Sequence, residues 1–341
     1  MRAAQINEPG AIENINLEQE AFSGYRSRLE NPSSNWLTIE VSASGICGTD
    51  LHIFEGEYLG GYPIIPGHEF SGTITAIGPD VKSLKVGDRV AVEPNLSCGV
   101  CSSCLENRQH FCENWQAVGV TLPGGMATHV SVPEQAVFRI GELDFKSGSF
   151  MEPLSCVVHG VGKIQPALGD RIALIGAGPI GILLFRVLRS AGAASIDVIE
   201  KNDSRAGFAE QAGADTVFKD LSAVKKGAYD IVVDATGVIP VLEQSVDLVR
   251  SAGKLLFFGV PPKDKQMKIK PFKLFTNELT IIYSFTSLRN SRQAIDMMRS
   301  GQVKVDDLVS HVLPLDELKR GFQLLLNPTE PVMKVMIDPQ G

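Results

Sequence analysis

The chain has 341 residues, of which 44% are hydrophobic and 21% charged, with a formal net charge of −7 at pH 7. That length exceeds one ordinary domain of roughly 100–200 residues and points to two, in a chain that folds throughout. The acidic balance excludes nucleic acid and anionic membrane surfaces, whose counterions only a basic stripe displaces, and leaves a small molecule as the fitting partner.

At the start, Met1-Arg2-Ala3-Ala4-Gln5 is followed by Glu8 and Glu13 with no apolar block between them. No secretory signal is expected there, and the chain reads as cytoplasmic. From Met1 to about Ile140, short β-rich runs such as Leu37-Thr38-Ile39-Glu40-Val41 and Asp88-Arg89-Val90-Ala91-Val92 alternate with Gly, Pro and Asn turns. This is the texture of a mostly antiparallel β domain.

Two groups of chemical residues interrupt it. Gly45-Ile46-Cys47-Gly48-Thr49-Asp50-Leu51-His52 is followed by Pro66-Gly67-His68-Glu69 and, much later, by Met151-Glu152-Pro153-Leu154. A mixed thiol, imidazole and carboxylate set is what an open zinc site uses, with one position left for water or substrate. Taken singly, each residue has a plainer reading: Cys47 as core filler, His68 as a turn residue, Glu69 and Glu152 as surface charges.

The second group is Cys98, Cys101, Cys104 and Cys112, spaced C-x2-C-x2-C-x7-C. In a chain without a secretory signal, such spacing reads as a metal site rather than a disulfide framework. Four thiolates close a tetrahedral zinc site, so this metal is expected to be structural. An iron–sulfur cluster also takes four thiolates, but the spacing differs from the common ferredoxin runs. His110 lies in the same loop and is surplus to the set.

From about Gly169 the texture changes to strands alternating with helical patterns, which implies βαβ units and a parallel sheet. Strands are expected at Arg171–Ile175, Ser195–Ile199, Asp215–Phe218, Asp230–Asp234, Lys254–Gly259 and Leu279–Tyr283, completing a doubly wound α/β sheet. The apolar run from Ile172 to Phe185 is too short to cross a bilayer and holds glycines and a proline, so no membrane segment is expected. Within it, Gly176-Ala177-Gly178-Pro179-Ile180-Gly181 follows a strand and opens a helix at Pro179. The first glycine makes the turn, the second admits a pyrophosphate, and the third packs helix on strand. Glu200 ends the next strand, nineteen residues after Gly181. Its carboxylate can take the adenosine ribose hydroxyls, whereas an NADP phosphate at about 4 Å would meet a repulsion on the order of 4 kcal/mol at an effective dielectric of about 20. NAD is therefore the expected cofactor. Lys201 and Arg205 beside it keep NADP as the second choice, with Arg205 also placed to stack on adenine.

From roughly Asn290 come a helical segment, Val312-Leu313-Pro314-Leu315, a second helix and a final strand Val332–Ile337. That strand has no place in a finished six-strand sheet and is expected to return to the first domain. The division is then residues 1–150, completed by about 290–341, and residues 151–289.

Taken together, these motifs resemble the zinc-containing medium-chain alcohol dehydrogenases, close to the sorbitol, threonine and sugar-alcohol branch. The resemblance covers essentially the whole chain. It is carried by the segment from Cys47 to His52, Gly67-His68-Glu69, Gly87-Asp88-Arg89-Val90, the four-cysteine loop, Glu152-Pro153-Leu154 and the segment from Gly176 to Gly181. It implies a GroES-like fold for the first domain and a catalytic zinc on Cys47 and His68, with Glu69 and Glu152 supplying or exchanging the remaining carboxylate ligand. It further implies a proton path from the alcohol through Thr49 and the nicotinamide ribose hydroxyl to His52, two zinc ions per subunit, and a homo-oligomer, dimer or tetramer. The expected reaction is hydride transfer from a secondary alcohol of a polyol, sugar acid or sugar phosphate to NAD. Phe54, Tyr58 and Trp115 are candidates to line the substrate pocket. Where sorbitol-type relatives carry Phe-Arg-Tyr after the sixth strand, this chain has Phe285-Thr286-Ser287, so the resemblance does not extend to sorbitol itself. A threonine-type dehydrogenase, a zinc-free quinone or enoyl reductase on the same scaffold, and a non-catalytic NAD-binding protein are the alternatives.

Overall fold

Leu37, Ile39 and Val41, at every second position of the strand Trp36–Gly45, are fully buried together with Phe70, Ile74, Val90, Val92, Val130 and Val132. That period of two drives one sheet face onto a core, and each such side chain contributes about 1.5–3 kcal/mol over exposure. Residues 1–17, 34–57 and 61–341 are described in this computed structural model. They divide into one unit of Met1–Pro153, Ser291–Arg299 and Val305–Gly341 and a second of Leu154–Asn290 and Ser300–Lys304.

In the first unit the sheet runs in the order Val309–Pro314, Lys334–Asp338, Trp36–Gly45, Glu69–Ile77, Arg89–Val92, Val137–Arg139, and His129–Pro133 also pairs with Trp36–Gly45. All neighbours are antiparallel except the first two strands named. A second apolar cluster of this unit gathers Ala4, Ile6, Ile46, Ile53, Phe322, Val335 and Ile337. Gly45 pairs with Glu69 on one side and with Met336 on the other, so the ends of three strands meet at one place.

The second unit is a six-stranded sheet in the order Thr216–Phe218, Ser195–Ile199, Arg171–Ile175, Tyr229–Asp234, Val249–Phe257, Thr280–Tyr283. Every pairing is parallel. In chain order this is 3-2-1-4-5-6, the doubly wound arrangement whose strand order reverses beside its first strand, where ligands bind at the carboxyl ends. The helix Pro179–Ser190 follows that first strand and buries Ile182, Leu183, Leu184, Phe185, Val187 and Leu188. Among the described residues no helix is long and apolar enough to cross a membrane.

Candidate functional site

Cys47 stands where the strand Trp36–Gly45 gives way to the helix Gly48–Glu55, and His68 immediately precedes the strand Glu69–Ile77. The Gly45–Glu69 pairing sets these two segments side by side. One ligand atom each from Cys47, His68 and Glu69 lies within 4.8 Å of the others. His68 and Glu69 are buried and Cys47 half-buried.

Asp50 organises this group. It is completely buried, and its Oδ2 accepts the Cys47 amide at 2.8 Å while Oδ1 accepts the Gly67 amide at 3.2 Å. The same Oδ1 lies 3.4 Å from Nδ1 of His68. One carboxylate thus ties both backbone segments and faces the imidazole. Burial alone would push the His68 imidazole down, but the charges of Asp50 and Cys47 outweigh it and hold it well above the usual histidine value. On the other side, the Lys334 ammonium forms a buried ion pair with Oε2 of Glu69. Burial would lower Lys334 too, yet Glu69, then Cys47 and Asp50, keep it charged and raise it.

Nδ1 of His68 and Oε2 of Glu69 each face a buried charged partner, Asp50 and Lys334. Buried polar atoms normally find hydrogen-bond partners. A thiol, an imidazole and a carboxylate converging in one buried group is a donor set that fits a divalent metal with a position open. Glu152 is buried in the first turn of the helix Met151–Ile164 and is not one of the three residues in this group. Thr49 and His52, three residues apart on the helix Gly48–Glu55, share one side of it and are half-buried. His52 Nδ1 is 3.0 Å from Oε2 of Glu57.

The four cysteine sulfurs of the loop also lie within 4.8 Å of one another. Cys98 and Cys104 are 4.0 Å apart and Cys101 and Cys112 3.9 Å. A tetrahedron of sulfurs about 2.3 Å from zinc has edges of about 3.8 Å, so the cage has the size of a metal site. The amides of Cys98 and Asn114 both donate to Sγ of Cys112 at 3.3 Å. Backbone amides of Val100 and Cys101 hold the Cys98 thiol down at about 6, while burial and the neighbouring thiols push Cys104 up to about 11. His110 stacks beside Phe111 at 4.0 Å and is not one of the four.

In the second unit Gly178 caps the helix that Pro179 and Ile180 open. Gly176 has φ +96°, and a Cβ on Gly181 would lie 2.0 Å from its carbonyl oxygen, so both positions require glycine. Glu200, expected to end its strand, instead directly follows the strand Ser195–Ile199 and is buried, with Oε2 accepting the Ala177 amide at 2.9 Å and Oε1 the Asn202 amide at 2.8 Å. Asn202 in turn caps the next helix by accepting the Arg205 amide at 3.0 Å. The carboxylate is therefore locked against the glycine turn.

Phe54 packs edge-on against Phe322 at 5.3 Å, and Nε1 of Trp115 donates to Oδ1 of Asn95 at 3.0 Å; both rings lie against the core. Tyr58 lies outside the described residues, and Phe285 is exposed. A cavity of about 590 Å³ beside Arg139, Arg292 and Arg299 touches none of the metal-binding candidates. Donor chemistry, rather than cavity size, marks the site.

Sequence reasoning gives Asp50 and Lys334 no role. Asp50 could have been noticed three residues after Cys47, where a helix's first turn favours an acid that bonds back to the chain. Lys334 is the one cation in the apolar run Val332–Ile337, and a buried lysine normally has a partner.

The family signature described as alcohol dehydrogenase GroES-like domain matches residues 33–142, and that described as zinc-binding dehydrogenase matches residues 179–300. The chain is 36% identical over 305 residues to D-altritol 5-dehydrogenase of Agrobacterium fabrum, a match covering 87% of this chain and 90% of that one. The chain belongs to the zinc-containing medium-chain alcohol dehydrogenase family. D-arabinitol dehydrogenase 1 of Uromyces fabae is 34% identical to this family member, with 88% and 89% covered. Among solved structures, a zinc-binding dehydrogenase of Sinorhizobium meliloti 1021 bound to NADP superposes with TM-score 0.89 at 30% identity, covering 99% of each chain. This medium-chain dehydrogenase is thus an oxidoreductase with a GroES-like domain and a doubly wound domain.

Proposed function

We propose that this dehydrogenase is zinc-dependent and NAD-linked and oxidises a secondary alcohol of a polyol, sugar acid or sugar phosphate. The observation that carries the reading is the convergence of Cys47, His68 and Glu69 in one buried group. Cys47 and His68 would hold the catalytic zinc with Glu69 or Glu152 as carboxylate, and the four loop cysteines a structural zinc, two per chain. Bound there, the metal supplies Lewis acidity toward the alcohol, whose hydride the nicotinamide takes.

The chain's own residues do the rest. Asp50 faces Nδ1 of His68 and leaves Nε2 to the metal, the usual way a carboxylate fixes a ligating imidazole. Thr49 takes up the alcohol proton, and His52 passes it to solvent, a task imidazole suits at neutral pH. Glu57, 3.0 Å from Nδ1 of His52, orients that ring. At the cofactor, Gly176, Gly178 and Gly181 admit the pyrophosphate to the start of the helix. Glu200 retains lone pairs for ribose hydroxyls beyond its two amide bonds. A 2′-phosphate there would meet like charge, which makes NADP the second choice, with Lys201 and Arg205 as a partial offset.

The named activities of the altritol and arabinitol relatives support a polyol substrate. Six free cysteines suit a reducing compartment, the cytoplasm. The edge strand Thr280–Tyr283, with Tyr283 and nearby Phe272 and Phe275 exposed, supports self-association. The test is a panel of polyols, sugar acids, sugar phosphates and threonine, followed by NADH absorbance with NADP alongside. Turnover of a polyol-type alcohol with NAD is the expected result; no reduction of either cofactor by any alcohol in zinc-replete protein overturns the reading.

A further inference from the structure

The helix Ser291–Arg299 belongs to the first unit and buries Ala294, Ile295 and Met298. Its exposed side lines the cavity of about 590 Å³ together with the strand Val137–Arg139, a size in the range of small-molecule sites. Leu84, Val137 and Ile295 are buried and give the cavity an apolar floor, with Arg139, Arg292, Arg299, Glu134 and Asp296 as its charged groups. Two of these five charges are committed. Arg139 pairs with Asp88 and donates to the Ser83 carbonyl, while Oε1 of Glu134 accepts the amides of Lys82 and Ser83 and the Ser83 hydroxyl. The other three, Arg292, Asp296 and Arg299, make no side-chain hydrogen bond or ion pair among the described residues. Asp296 lies four residues after Arg292 and three before Arg299, the spacings at which opposite charges on a helix pair, yet neither arginine closes onto it. Arg292 stands in the first turn of its helix, where the free backbone amides disfavour a cation. The Arg299 guanidinium is lodged against Gly141, where a Cβ would lie 3.3 Å from its Cζ and Nε.

We propose that this cavity binds a phosphate monoester of a sugar or polyol, its phosphate on Arg292 and Arg299 and its hydroxyls on Asp296, Asn35 and Gln135. Guanidinium forks match phosphate oxygens in pairs. The two arginines are separated by about two helical turns, roughly 10 Å along one face, a gap that two long side chains close. Asp296 repels a bare dianion but accepts the hydroxyl hydrogens of an attached polyol, so the mixed lining selects the ester over inorganic phosphate. The cavity shares no residue with the metal group, and binding there does not depend on the reading of Cys47, His68 and Glu69 as a zinc site.

The experiment titrates the full chain calorimetrically at low salt with glucose 6-phosphate, glucose and inorganic phosphate. It is run on the unaltered protein and on Arg292→Gln, Arg299→Gln, Asp296→Ala and His68→Ala, with an unchanged Tm showing that the three surface variants are folded. Saturable binding of the ester is expected, with none of glucose and with inorganic phosphate roughly 10-fold weaker. Each arginine variant is expected to weaken the ester about 10-fold, and Asp296→Ala to bring the ester and inorganic phosphate closer together. His68→Ala is expected to bind the ester as the unaltered protein does, so failure of the zinc reading leaves this result standing. No binding of the ester, equal binding of inorganic phosphate, or an affinity unchanged in both arginine variants overturns the proposal. Binding that vanishes in His68→Ala belongs to the alcohol position and overturns it as well.

Discussion

The Asp50 carboxylate faces Nδ1 of His68 at 3.4 Å while accepting the amide of Gly67, the residue just before that histidine. Its other oxygen holds the amide of Cys47. A single buried acid therefore fixes the positions of two candidate ligands that lie on separate segments of the chain.

Asp50→Asn keeps the shape but replaces one acceptor oxygen by a donor and removes the charge. Zinc affinity at the Cys47 site is expected to fall about 10–100-fold, measured by chelator competition, with the loop zinc retained. Equal loss of both metals would show a general folding defect instead.

Cys104→Ser opens the sulfur cage, in which Cys104 lies 4.0 Å from Cys98. The expected outcome is loss of one zinc and a lower Tm. A loss of about 2 kcal/mol or more corresponds to roughly 5 °C or more for a domain of this size. Calorimetry and metal counting on the same sample check it, and kcat of the folded fraction is expected to stay.

How far the chain could be read follows from where each signal lies. The six parallel strands were legible because their apolar runs are local, as in Ile172-Ala173-Leu174-Ile175, and alternate with helical patterns. The strand expected at Lys254–Gly259 instead spans Val249–Phe257. Its early part was hidden because Ser251-Ala252-Gly253 reads as a turn, and Ala252 does adopt φ +60° within a strand whose register shifts there. Asp215 precedes its strand, which starts at Thr216, because its carboxylate is used by the Ile196 amide and Arg189. Cys47, His68 and the four loop cysteines were visible as motifs of characteristic residue types. The pairing of Lys334 with Glu69 was not, because it depends on a register between strands far apart in the sequence, which no local pattern encodes.

Glu200→Ala removes the acceptor that locks the glycine turn and would meet the ribose. KM for NAD is expected to rise on the order of 10-fold, the worth of about 1.4 kcal/mol for a charged hydrogen bond. KM for NADP is expected to fall as the like charge disappears. Steady-state kinetics with both cofactors measures the ratio, and an unchanged ratio contradicts the assignment.

Asp215 gives a pH test independent of the metals. Burial would raise its carboxyl, but the Ile196 amide and then Arg189 hold it below the ordinary value of 3.8. A depressed carboxyl contributes stability that is complete above the unfolded value and is lost as pH falls through the folded one. Because the pair with Arg189 is partly exposed, Asp215→Asn is expected to cost at most about 1 kcal/mol at pH 7. Urea unfolding at pH 7 and at successively lower pH is expected to show the gap closing only below 3.8.

The most direct measurement counts zinc in the catalytically active protein and in His68→Ala purified alongside it. Two ions per chain in the first, one in the second, and turnover lost with the missing ion is the predicted result. One ion per chain in the active protein, with turnover unchanged in His68→Ala, would contradict the account.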